Sequence, residues 1–221
     1  MITALFTGLV VGLIHVFSGP DHLSAIAPMA CVERNRVWTI GLRWGLGHSL
    51  GVVIIGLIAG IMAHVMAVDL FSRSCEWLVG IMLLAIGAWG LWRLSRMPSA
   101  RAMTTHTHAD GQTHSHSHVA IPIHSTTARH RLAPYAIGVL HGCAGGSHFV
   151  GILLALAFPT FAGVMTYLAG FVVGSILAMC AFAAGIGWLA SVRGVSSGFH
   201  RGVLTWSSCA TIAVGCWWLV F

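Results

Sequence analysis

Six stretches of this chain, 2–30, 38–66, 77–95, 134–157, 161–190 and 203–221, are predominantly apolar. Each approaches or exceeds the about 20 residues that a helix needs to cross the hydrocarbon of a bilayer. That pattern is the strongest constraint on the fold. Within hydrocarbon the backbone must satisfy its own N–H and C=O groups, and for runs this long the helix does so. The chain is 57% hydrophobic and only 7% charged, whereas a soluble domain carries about 25% charged residues. The expected class is therefore an all-α membrane protein with six transmembrane helices. The opening MITALFTGLV has no basic lead-in, so no cleaved signal peptide is expected.

Residues 96–133 break the pattern. They are rich in Ser, Thr and Arg and hold seven of the 14 histidines, a composition that reads as a polar, mostly disordered loop. The chain thus divides into 1–95, the histidine-rich loop 96–133, and 134–221. The outer parts resemble each other. With GLIHVFSGPDHL (12–23) set over GVLHGCAGGSHF (138–149), Gly12 meets Gly138, His15 meets His141, Gly19 meets Gly145 and His22 meets His148, while Asp21 meets Ser147. Three spans is an odd number, so duplicated halves must cross in opposite senses. The expected architecture is two inverted three-helix repeats, a plan common among transporters, whose sites lie near the midplane beside discontinuous helices. Gly19-Pro20 and Gly145-Gly146 are the expected breaks.

All eleven basic residues are arginine. With this threading, Arg34, Arg36, Arg93, Arg96, Arg101, Arg129, Arg131, Arg193 and Arg201 fall on one side, Arg43 just inside it, and Arg73 on the other. The positive-inside tendency makes the first side cytoplasmic. Both termini are then expected outside, the loop inside, and the setting a bacterial inner membrane. The net charge of +6 is read as topology, not as nucleic-acid binding.

The polar motif HVFSGPDH, residues 15–22, is what a simple apolar span would lack. Ionisable groups are costly in hydrocarbon and mark function by default. With a rise of about 1.5 Å per residue, His22 and His141 lie ~12 Å from the cytoplasmic face, His48 ~15 Å, and His15 and His148 ~22 Å. Asp21 adjoins His22. A straight helix would hold His15 and His22 ~10 Å apart, too far to share an ion. Either the Gly-Pro break folds them together or they act in succession along a path. Neutral imidazoles with one carboxylate suit Ni, Co, Zn, Fe or Cu. The candidate metal ligands are His15, Asp21, His22, His48, His141 and His148. His64 and His200 read as ordinary polar residues. The six cysteines form no CxxC pair and lie mostly in apolar runs, so they read as small buried side chains; only Cys143, between two histidines, stands out. The alternating imidazoles of 106–108 and 114–124 suggest a flexible metal gatherer.

The segments GLIHVFSGPDHLSAIAP and GLRWGLGHSLG resemble the nickel/cobalt transporter superfamily, especially its urease-accessory-type nickel permeases with a GPDH motif. The resemblance implies a membrane permease for Ni²⁺ or Co²⁺, with His15, Asp21 and His22 as the signature metal motif and His48 as the second-span histidine. The spacer between His15 and the Asp-His pair is one residue longer than in the better-known signature, and the better-known members have more spans. The expected function is transport of a divalent transition metal, Ni²⁺ or Co²⁺ first and Zn²⁺ next, as substrate and with no prosthetic group. The lipid bilayer is a partner, a cytoplasmic metallochaperone a candidate one, and nucleic acid is not expected. The rival from another class is an intramembrane zinc hydrolase, in which three His and an Asp would activate water.

Overall fold

A computed structural model describes residues 1–33, 36–61, 67–97, 104–107, 113–116, 128–144, 154–155, 157–191 and 197–220. Among these, seven helices form: α1 (Ile2–Ser18), α2 (Pro20–Val32), α3 (Trp38–Ile61), α4 (Ala67–Ser95), α5 (Ala128–Cys143), α6 (Phe161–Ser191) and α7 (Ser197–Val220). Apart from one short hairpin, the regular structure among the described residues is helical, consistent with an all-α membrane protein. Glu76–Ser95, Phe161–Ala190 and Gly198–Val220 are each long and apolar enough to cross a bilayer, and α1 with α2 makes a fourth if the bent pair is one span. Its outer surface agrees. Phe6, Trp188 and Trp206 are at least two-thirds exposed, as side chains that face lipid are.

The first apolar stretch is two helices meeting at 73°. Gly19 is extended (φ −92°, ψ 100°) between them, and Pro20 opens α2. Proline disfavours helical backbone in the residue before it, yet its own fixed φ suits the first helical position. Ser18 Oγ closes the last turn of α1 by donating to the Ile14 carbonyl at 2.6 Å. The result is a short helix, α2, wrapped on nearly all sides. Asp21, His22, Ser24, Ala25, Ile26, Ala27, Pro28, Ala30 and Cys31 are all buried. Thr211 Oγ1 of α7 donates to the Ser24 carbonyl at 2.6 Å, fixing α2 against its neighbour. Ala25, Ile26 and Ala30 join Trp44, Val79, Leu83, Met179 and Ala183 in the main core.

Glycines set how near the helices come. A methyl at Gly8 or Gly12 of α1 would strike the carbonyls of Tyr167 or Phe171 on α6, and one at Gly170 or Gly174 would strike those of Leu5 or Leu9 on α1. The same exchange joins α3 to α5. Gly47 and Gly51 meet the Tyr135 and Val139 carbonyls, while Gly138 and Gly142 meet those of Trp44 and His48. Small residues at four-residue spacing allow this approach, and dispersion between close backbones replaces the hydrophobic effect that lipid cannot supply. The third large contact joins α4 to α7. Arg201 Nη1 donates to the Leu94 and Met97 carbonyls at the end of α4, at 3.4 and 3.3 Å. Arg93 and Arg96 lie over the rings of Trp89 and Trp92 at 5.9 and 5.5 Å from the centroids.

The segment 96–133, expected to be mostly disordered, contains a short antiparallel hairpin, β1 (Thr104–Thr107) with β2 (Thr113–His116). The β-branched Thr104, Thr105, Thr107 and Thr113 favour strands. Helix α5 also begins at Ala128, inside that segment, because Ala-Arg-His-Arg-Leu presents good helix formers just ahead of the apolar run. Gly145-Gly146, the second expected break, lies outside the described residues.

The glycine contacts generate a stability prediction. Gly142→Val pushes a branched side chain into the α3 backbone, whereas a methyl at Gly185 or Gly202 meets nothing within 4 Å. Gly142→Val should cost about 3 kcal/mol or more and sharply lower the yield of monodisperse protein in detergent. Gly185→Ala should match the parent in yield and thermal midpoint.

Candidate metal centre

Four helices carry the cluster. His15 lies in the last turn of α1, Asp21 and His22 in the first turn of α2, His48 in the middle of α3 and His141 in the last turn of α5. The bend at Gly19 does what a straight helix cannot. It brings the His15 and His22 ring centroids to 4.9 Å, against the ~10 Å of an unbroken helix. The His22 ring lies 5.0 Å from that of His48 and 4.5 Å from that of His141. His15 and His48 are 5.8 Å apart, and His48 and His141 5.7 Å. Of the six residues singled out from the sequence, five converge. The sixth, His148, lies outside the described residues, as does the side chain of His64.

Asp21 is the only carboxylate of the cluster, and each of its oxygens meets a different imidazole. Oδ1 is 3.1 Å from His22 Nδ1, and Oδ2 is 3.2 Å from His141 Nε2. Asp21 is 5% exposed, His22 and His48 1%, and His141 0%; His15 is half-buried. An acid at the start of α2 also faces the positive end of that helix's dipole. Two overlapping sets of ligand atoms lie within 4.8 Å of one another, Asp21/His22/His141 and His15/His22/His48. Nitrogen and carboxylate oxygen at such spacing are the donors of a borderline divalent metal, and the low local dielectric strengthens charge attraction.

The walls are aromatic. Trp44 lies 5.8 Å and Trp218 6.2 Å from His141 between ring centroids, and Phe171 lies 5.4 Å from His15. None of the three was expected at the site, Trp218 having read as part of an aromatic belt at a span end. Trp44 carried a usable signal, since it precedes His48 by one helical turn and so shares its face. Phe171 carried none. Gly19 was read only as a helix break, but it is also part of the wall. A Cβ there would strike His22 Nδ1 and would lie 2.8 Å from Asp21 Oδ1. Cys143 lies apart from both ligand sets. Its thiol donates across the α3–α5 contact to the Gly51 carbonyl at 3.6 Å. Among the described residues no cysteine is in a disulfide, and Cys209 and Cys216 face outward.

Comparison with known proteins adds three relatives. The chain is 27% identical over 190 residues to the urease accessory protein UreH of Bacillus sp. (strain TB-90), covering 85% of this chain and 77% of that protein. It is a distant homologue of UreH. It is also 30% identical over 217 residues to the chloroplast protein FOR GROWTH AND FERTILITY 2 of Arabidopsis thaliana. Its identity to FOR GROWTH AND FERTILITY 1 of that plant is 30% over 188 residues. These matches take in 97% and 84% of this chain. The chain spans about half the length of the two plant relatives, 55% and 50%. No family model and no solved structure matches.

The wall at Gly19 can be tested directly. Alanine tolerates its backbone angles, so Gly19→Ala should fold and insert normally. Its methyl displaces the His22 ring and the Asp21 carboxylate, so Ni²⁺ affinity of the purified protein should fall by about 10-fold or more. Calorimetric titration against the parent checks this.

Proposed function

We propose that the protein carries a divalent transition-metal cation, Ni²⁺ or Co²⁺, across the membrane through the His15/Asp21/His22/His48/His141 cluster. The observation that carries the reading is the convergence of five ligand-type side chains from four helices inside an apolar bundle. Imidazole and carboxylate without thiolate favour the borderline divalent ions over Cu(I). The resemblance of the GPDH and GLGH segments to nickel/cobalt permeases narrows the choice to nickel and cobalt. Distant homology to a urease accessory protein is in keeping with it.

The helix contacts support six spans arranged as two inverted repeats. The first helix of the first half (α1) packs on the second helix of the second half (α6). The first helix of the second half (α5) packs on the second helix of the first half (α3). The two third helices, α4 and α7, pack on each other. A two-fold axis in the membrane plane would produce this exchange. Gly12 and Gly138 even meet matching backbone sites, the Phe171 carbonyl with the Ser175 amide and the Trp44 carbonyl with the His48 amide. In that register Ser175 stands where the first half has His48. Rocking of the two repeats would then open the cluster to either side in turn. The arginine distribution supports termini outside and the histidine-rich loop in the cytoplasm.

Imidazoles must shed protons to ligate, so proton and metal compete for the same nitrogens. Metal flux should therefore respond to an imposed pH gradient. The decisive comparison is cellular nickel and cobalt content with and without the protein. A rise marks import and a fall export. Asp21→Asn and His22→Ala should each remove the change, at least ~100-fold in affinity terms, while still reaching the membrane. Unchanged metal content for both metals would instead favour the hydrolase reading.

The loop supports the same function. Its register sets His106 opposite His114, with His116 two positions along, opposite Thr104. We propose that the histidines of this segment gather metal on the cytoplasmic side. Deleting 104–124 should then change Ni²⁺ affinity in titration of the purified protein without abolishing passage; complete loss of passage would make the loop part of the path.

A further inference from the structure

The five ligands do not make one site. Among the described residues they fall into two three-ligand sets, Asp21/His22/His141 and His15/His22/His48, and His22 belongs to both. Resting on the transport reading, we propose that the two sets are successive stations for one ion and that His22 passes it between them.

Ligand distances favour two stations. Donor atoms bound at about 2.0–2.1 Å lie at most ~4.2 Å apart across the ion. Each set is compact enough to approach that limit, with all its donor atoms within 4.8 Å, whereas the five together do not form a single such set. An ion seated in one station therefore leaves two ligands of the other behind, with His22 common to both.

The stations differ in a way that suits passage. Asp21/His22/His141 is buried throughout and contains the carboxylate. It joins α2 to α5, so it bridges the two halves of the chain. A doubly charged ion there is partly neutralised, which makes it the deeper well in a low dielectric. His15/His22/His48 is made only of imidazoles, belongs entirely to the first half, and is open at half-buried His15. Three neutral ligands leave the full charge uncompensated, which makes it the shallower well on the more open side. Passage through a membrane needs binding that is firm enough to admit the ion and divided enough to release it. In the transfer, bonds from the ion to Asp21 and His141 break and bonds to His15 and His48 form. His22 remains a ligand, so the ion is never fully released into hydrocarbon. The imidazole has two ring nitrogens, and Nδ1 is the one beside Asp21.

The stations can be separated by substitution. His48→Phe impairs only the imidazole station, His141→Phe only the carboxylate station, and His22→Phe both; alanine versions guard against misfolding caused by bulk. Each full-length variant is purified, checked for a monodisperse elution profile, and measured for Ni²⁺ binding at equilibrium and Ni²⁺ flux in proteoliposomes. Ions held by the loop remain in every variant, so binding is read above the level kept by His22→Phe. The expected result is that His48→Phe and His141→Phe each retain Ni²⁺ binding above that level. Each should nevertheless lose at least ~100-fold in flux. If either loses its binding, or either still transports, the two-station scheme is wrong while the transport reading stands. If the parent protein itself binds no more than His22→Phe and moves no Ni²⁺, the transport reading fails with it.

Discussion

A carboxylate withdrawn from water inside an apolar bundle needs compensation, and at Asp21 that need organises its surroundings. An unpaired buried charge is costly, and breaking such a pair from one side commonly costs 3–5 kcal/mol. Here the compensation comes from imidazoles on two helices, one oxygen to His22 and the other to His141. Neither contact is as permanent as an arginine pair would be, because imidazole, unlike guanidinium, can give up its charge. That difference matters. An arginine would satisfy Asp21 permanently, whereas imidazoles can exchange their protons for a metal ion.

Two features put the imidazoles there. Gly19 and Pro20 turn the chain by 73°, so residues seven apart in sequence become neighbours. The reciprocal glycines of α3 and α5 bring the His48 and His141 backbones close enough for both side chains to reach His22. Tight backbone contact and ligand geometry are therefore one design. The glycines that permit the first, Gly138 and Gly142, flank His141 and abut the backbone of α3 at Trp44 and His48.

Much of this was legible in the residues. Apolar runs announced the helices, and the out-of-place polar motif announced the cluster. A Gly-Pro pair announced a break at residue 19. The angle and direction of the break were not legible, because proline and glycine weaken a helix without specifying where the chain goes next. That is why the distance between His15 and His22 stayed open until the fold was known. Phe171 could not be anticipated either, since it reaches His15 from a helix more than 150 residues away in sequence. The hairpin at 104–116 was masked by a composition that otherwise speaks for disorder. His148 matched His22 in the repeat, but it lies beyond what the structure describes.

The central claim is that side chains of this cluster, His22 among them, bind a transition metal in the membrane interior. The most direct measurement is a crystal or electron-microscopy structure of the full-length protein loaded with Ni²⁺, with the metal located by anomalous scattering or difference density. The account predicts a peak between α1, α2, α3 and α5, about 2.1 Å from imidazole nitrogen of His22. Metal confined to the histidine-rich loop, with the interior cluster unchanged and bare at saturating Ni²⁺, would contradict it.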